Sequence, residues 1–342
     1  MQQVWISKAG PPEVLQVREA PDPVPGKGQV RIRVHAAGIN FADLMARVGL
    51  YPDAPKLPCV VGYEVSGVID EVGEGVTSVA VGDRVFGAPK FGGYTDTLVV
   101  DQRQAFKMPG AMTFEEAAAL PVVYLTAHHM MFFNGNLRRK SRVLIHSAAG
   151  GVGLAAIQLA KIRECEIYGT ASKSKHEFLK NEGCHHPLDS SGDYVAELRE
   201  LTKDRGLDLI LDPVGGRSWE DGYELLAPTG RLVAFGLSAV ASGKQRNLFN
   251  AALQILRIKK WSPMKMMDDN KTISGVNMGH LFGEIDLLAE QFHALVAMYE
   301  AGQIKPHVDR TFSFSDAAAA HHYLHDRKAK GKVLLVPDHL AH

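Results

Sequence analysis

The 342-residue chain has little cysteine, no excess of charge of either sign and no long apolar run. Its three cysteines, Cys59, Cys165 and Cys184, are odd in number and far apart, which argues against a disulfide framework and against a close-spaced cysteine lobe for a structural metal. Lysine plus arginine and aspartate plus glutamate each number 38, so no global field recruits nucleic acid or an anionic membrane. The short basic clusters Arg138–Arg142 and Arg327–Lys332 read as solvated turns. No window holds 18 consecutive apolar residues, and Met1-Gln2-Gln3-Val4-Trp5 lacks the basic start and apolar core of a signal peptide. A soluble, cytoplasmic protein with no transmembrane segment is the expectation.

What is present is an ordinary globular composition, 46% hydrophobic and 22% charged, in a chain long enough for about two domains. From Gln3 to about Pro121 it reads as short strands broken by glycine and proline. Gln29–Val34 alternates polar and apolar residues, the period of a half-buried strand, and Val65–Ile69, Asp83–Phe86 and Thr95–Val100 are similar. This half predicts an irregular β-barrel or sandwich. Beyond Ala117–Pro121, strands and helices alternate at βαβ spacing: strands over Arg142–Ser147, Glu166–Ala171, His185–Asp189, Leu207–Asp212, Arg231–Gly236 and Thr272–Asn277, with helices such as Val152–Arg163 and Lys175–Glu182 between them. Six strands are what a full dinucleotide-binding sheet requires. A helix Glu284–Ala301, a strand Val308–Phe312, a helix Ser315–His325 and a strand Val333–Val336 follow, and suit a return to the first domain. The expected fold class is α/β plus β: a doubly wound parallel six-stranded Rossmann sheet inserted into a β-rich domain. Its boundaries are 1–121, 122–278 and 279–342.

The strongest local signal is a buried strand from Arg142 that runs through Ser147-Ala-Ala-Gly-Gly-Val-Gly153 into a helix. Ala148, Gly150 and Gly153 form the Rossmann fingerprint with alanine in its first place. With Gly151 and Val152 they allow a tight turn and a close approach of backbone N–H groups to a pyrophosphate. About 20 residues further on, where an NAD site places an acid on the ribose, stand Gly169-Thr170-Ala171-Ser172-Lys173-Ser174-Lys175. Hydroxyls and ammonium groups there suit a ribose phosphate, so NADPH is expected through Thr170, Ser172, Lys173 and Lys175; the plain alternative is a solvated turn opening the next helix. Two more strand ends, Asp212–Gly216 and Phe235-Gly236-Leu237, suit backbone contacts to the nicotinamide half, or need no ligand at all.

Taken with the strand-rich start, Gln158, Lys161 and the ending Gly331-Lys-Val-Leu-Leu-Val-Pro337, this loop resembles the zeta-crystallin-like quinone oxidoreductases of the medium-chain dehydrogenase/reductase superfamily. Gly169–His176, Lys244–Leu248 and Gly302–His307 look closer still to its vesicle amine transport protein branch. The resemblance spans essentially the whole chain, and implies a GroES-like first domain completed by the C-terminal segment. It also implies roles: Asn40 beside the nicotinamide, Tyr51 facing the substrate, Thr126 a hydroxyl at the nicotinamide, and Lys332 among the cofactor-binding residues. As plain alternatives, Asn40 is a turn residue, Tyr51 a buried aromatic before proline and Thr126 a helix N-cap. Met45 stands where many relatives carry a second tyrosine, so no role for that tyrosine transfers.

No zinc is expected, because Asn40 and Tyr63 occupy the superfamily's ligand positions and Glu64 reads as a hydrogen-bonded turn acid. Without a Lewis acid a quinone or an α,β-unsaturated carbonyl is the easier hydride acceptor, since its anion is delocalised. A homodimer is expected through the last strand of the nucleotide sheet. The competing readings are a nucleotide-binding protein associated peripherally with vesicles, with little turnover, and an enoyl-thioester reductase.

Overall fold

A computed structural model describes residues 1–241 and 258–341; the segment Lys244–Leu248 of the sequence comparison lies outside the described residues. The first eight strands are β1 (Gln2–Ile6), β2 (Leu15–Glu19), β3 (Gln29–Ile39), β4 (Cys59–Val60), β5 (Val65–Val72), β6 (Arg84–Gly87), β7 (Thr97–Asp101) and β8 (Ala105–Lys107). Six more follow: β9 (Arg142–Ile145), β10 (Glu166–Ala171), β11 (His186–Asp189), β12 (Leu207–Asp212), β13 (Leu226–Ala234) and β14 (Thr272–Gly275). The chain then returns as β15 (Val308–Ser313) and β16 (Lys332–Val336).

The described residues divide into two compact units, 1–125 with 279–341, and 126–241 with 258–278. In the first unit β1 pairs with β2 and β4, and a seven-stranded sheet runs β15-β16-β3-β5-β6-β8 with β7 also on β3. Val30, Ile32 and Val34 alternate inward from β3 into a core shared with Val4, Ile6, Val65, Ile69 and Val85. The strand extends past Val34, where the polar-apolar alternation stops, because Ala36–Ile39 is covered on both faces. There β16 pairs antiparallel with it, Val333 opposite Ile39 and Leu335 opposite Ala37. Val333, Leu334 and Leu335 are buried, worth about 1.5–3 kcal/mol each, so the late strand is integral to the early sheet.

Among the described residues of the second unit six strands form one parallel sheet, in the order β11-β10-β9-β12-β13-β14. Numbered from β9 this is 3-2-1-4-5-6, the doubly wound Rossmann order, with its switch point between β9 and β12. Beyond the carboxyl ends of those two strands lie the turns that the fold uses for ligands. Strand β13 starts five residues before the expected Arg231, since Pro228-Thr229-Gly230 is an irregularity within the strand. Among the described residues no helix is long and apolar enough to cross a membrane.

Candidate functional site

The glycine loop is built from the inside outward. β9 is buried along its length and ends in a turn where Ser147 takes a left-handed φ of 54°. The helix Gly151–Ile162 follows at once, with Gly150 as its N-cap residue in extended geometry. Its first-turn N–H groups have no partner within the helix and carry the positive end of the dipole. Gly153 answers a packing need, because a Cβ there would lie 2.6 Å from Ala148 C and Cα. Ala148, fully buried, donates its N–H to the Thr170 carbonyl at 3.0 Å. The Thr170 hydroxyl braces the loop as well, 3.3 Å from Ser147 N and 3.1 Å from His146 Nδ1. The structure thus turns Thr170 inward, while Gly150, Gly151 and Val152 open the helix.

Ser172, Lys173 and Lys175 stand at the carboxyl end of β10, beside the loop, in a single helical turn. The Ser172 and Ser174 hydroxyls are 3.2 Å apart. An acid absent from this stretch of sequence approaches from the next strand: Asp189, ending β11, lies 3.7 Å from Lys173 Nζ. Hydrogen bonds from the Ser191 N–H and hydroxyl hold its carboxyl below the usual range.

Phe235, Gly236 and Leu237 follow β13 and pack on the turn after β12. Phe235 donates its N–H to Asp212 O at 3.1 Å, and a Cβ on Gly236 would meet Pro213 O at 3.0 Å. Asp212, fully buried, accepts from Val214 N at 2.6 Å and Gly215 N at 3.2 Å. These glycines are explained by the contact of two turns, with or without a ligand.

The first unit holds Asn40, Tyr51 and Lys332. Asn40 precedes the helix Phe41–Arg47 and is 9% exposed. Its Nδ2 donates to Glu64 Oε1 at 2.8 Å and its Oδ1 accepts from Lys332 Nζ at 2.6 Å. Lys332 and Glu64, 3% and 0% exposed, form an ion pair. Glu64, expected to be a turn acid, is the centre of this cluster, and its Oε2 also accepts from Val122 N at 2.7 Å. Lys332, expected at the cofactor, has its ammonium engaged by two partners in the first unit. Tyr51 meets Tyr63 edge-on at 6.4 Å, and Tyr63 packs on Phe91 at 5.2 Å, which makes an aromatic wall. Burial raises the Tyr51 hydroxyl pKa and keeps it protonated. Thr126 lies in the second unit, buried in the last turn of the helix Pro121–His128 and not at its N-cap.

Asp43 carries a signal the sequence did not. Its carboxylate is fully buried and accepts from Asn40 N at 2.8 Å and Gly62 N at 3.1 Å, tying the two loops together. Burial pushes its pKa up to about 7, against those bonds and the Lys332 charge, which favour ionisation. The folded pKa lies above the unfolded value of about 3.9, so the stabilisation is complete below about pH 4 and is lost as pH rises to about 7, some 4 kcal/mol in all. The unfolding free energy of the wild type minus that of Asp43→Asn, measured in urea, should fall by that order from pH 4 to 8. A difference independent of pH would contradict it.

Among the described residues no three His, Cys, Asp or Glu converge as metal ligands. An amide, a phenol and a carboxylate already bound to an ammonium do not fit zinc. The glycine loop fits a dinucleotide, because it exposes N–H groups at a helix start beside the sheet's switch point.

Comparisons with known proteins agree with this fold. Residues 26–122 match the family described as an alcohol dehydrogenase GroES-like domain, and 183–335 the one described as a zinc-binding dehydrogenase. The human synaptic vesicle membrane protein VAT-1 homolog is 43% identical over 325 residues, 94% of this chain and 82% of that protein. A quinone oxidoreductase of Pseudomonas aeruginosa is 33% identical over 98% of this chain and 99% of its own. The crystal structure of Escherichia coli quinone oxidoreductase complexed with NADPH superposes with a TM-score of 0.87 at 29% identity, covering 98% of this chain and 100% of that one.

Proposed function

The chain belongs to the medium-chain dehydrogenase/reductase superfamily, in its quinone oxidoreductase and VAT-1 branch, and from that premise we propose a zinc-independent, NADPH-dependent reductase of quinones or α,β-unsaturated carbonyls. The superfamily's oxidoreductase chemistry with a nicotinamide cofactor is common ground; the choice of NADPH rests on Ser172, Lys173 and Lys175 at the carboxyl end of β10, where an acid would select NADH. Zinc independence is supported by Asn40, Tyr63 and the Lys332-bound Glu64.

Bound NADPH supplies the hydride. The N–H groups of Gly151, Val152 and Gly153 would hold its pyrophosphate, with Gly150, whose own N–H is donated to Ser147 O at 2.9 Å, leaving room for it. Asn40 and Thr126 orient the reacting end, and the Tyr51–Tyr63–Phe91 wall favours a flat conjugated substrate. The oxygen that gains charge needs hydrogen-bond donors and a proton, which Asn40 and the protonated Tyr51 hydroxyl, or water, provide. Steady oxidation of NADPH by a small-quinone and enone panel should survive exhaustive chelation. NADPH should bind more tightly than NADH, with Lys175→Ala narrowing the gap by about 1.5–3 kcal/mol. Turnover restored only by added zinc, or preferred acyl thioesters, would redirect the assignment. Tight nucleotide binding without turnover, together with co-sedimentation with vesicles, would sink it in favour of a binding role.

We further propose a homodimer. Among the described residues β14 pairs only with β13, which leaves an edge that a twofold mate can cover. A monomer by light scattering at micromolar concentration would refute this.

A further inference from the structure

A buried ion pair is an expensive way to fill space, since desolvating two charges costs several kcal/mol per ion and an apolar pair of similar shape often does as well. Glu64 and Lys332 are nonetheless buried in the first unit, and both reach one amide. An ammonium can only donate and a carboxylate only accept, so Lys332 fixes Asn40 Oδ1 on its side and Glu64 fixes Nδ2 on the other. The amide has no alternative flip. Glu64 is itself held, by the Val122 N–H at 2.7 Å and by the space at Gly38, where a Cβ would lie 2.6 Å from Glu64 Cγ and Cδ. Of the two Nδ2 hydrogens one goes to Glu64. The ammonium at the carbonyl end draws electron density from the amide nitrogen, and hydrogen bonds in line strengthen one another.

We propose that Glu64 and Lys332 are positioning residues, an ion pair that orients and polarises the Asn40 amide so that its second N–H meets the substrate oxygen that gains negative charge. This rests on Asn40 lying at the reacting end, as proposed above. The pair thereby does with an ammonium and an amide part of what a metal cation does elsewhere, stabilising charge that appears only in the transition state.

The test compares Lys332→Met, Glu64→Gln, the double variant and Lys332→Arg with the wild type, using NADPH and a small quinone. Each single neutral variant strands one buried charge, so Tm should fall; the double variant strands none, so Tm should recover. Its kcat should stay about 10–100-fold below wild type, with KM and the NADPH Kd within about threefold, since a misplaced donor costs rate more than binding. Lys332→Arg, which keeps the charge, should retain more kcat than Lys332→Met whatever its Tm. If the single neutral variants do not fold, the double variant and Lys332→Arg decide. A double variant that regains Tm and full kcat together would show the pair to be structural and overturn the inference alone. A wild type without turnover on any quinone or enone would overturn this inference together with the proposed function.

Discussion

Gly150→Asp is expected to abolish nicotinamide nucleotide binding, by at least about 10³-fold, while the protein stays folded. Gly150 is the N-cap residue of the helix Gly151–Ile162 with φ −83° and ψ 172°, a geometry any residue adopts, and a Cβ there meets only Ser147 O, at 3.3 Å. Aspartate is among the best N-cap residues, and its charge complements the helix dipole. The same carboxylate fills the space a pyrophosphate needs and repels it. Stability and binding should therefore move independently, which a general unfolding defect would not allow. Fluorescence titration with NADPH and a thermal melt decide it; affinity within threefold of wild type would place the nucleotide elsewhere.

The second large effect is at Asn40. Asn40→Ala should lower kcat by about 10²–10³, the loss found when one donor to a developing oxyanion is removed, and leave the NADPH Kd nearly unchanged. Glu64 and Lys332 remain paired with each other in this variant, so the fold keeps its buried charge balance. A loss of nucleotide affinity equal to the loss of rate would make Asn40 a binding residue. An unchanged kcat would remove it from the site.

Much of the fold is legible because its signals are local. The alternation of Gln29–Val34, the glycine loop after Arg142–Ile145 and the β10 and β12 strands all lie within short windows, and the strand-helix alternation implies parallel pairing. Boundaries slipped where local signs mislead, as at Pro228-Thr229-Gly230, which looks like a turn and sits within β13. Chemistry spread across the chain is hidden. Glu64 looked like a turn acid because its partner, Lys332, belongs to the returning strand, and nothing near either residue in sequence shows that they meet. Asp189 escaped for the same reason: it reaches Lys173 only because β11 lies beside β10. Asp43 and the tyrosine wall depend on burial, which no short window of sequence records.

The pairing of β16 with β3 also has a consequence in time. Lys332 and Asn40 are 292 residues apart. At about 5–20 residues per second a ribosome takes roughly 15–60 s to travel that distance. During this interval the Ala37–Ile39 edge has no β16 to cover it, and Glu64 has no ammonium to balance its charge. The second unit, whose strands are all synthesised in between, can close its own sheet first. The nascent first unit is thus an open-edged sheet with an uncompensated acid. Its carboxylate stays hydrated until β16 arrives, so the same late strand seals the edge and brings the charge that lets Glu64 leave water.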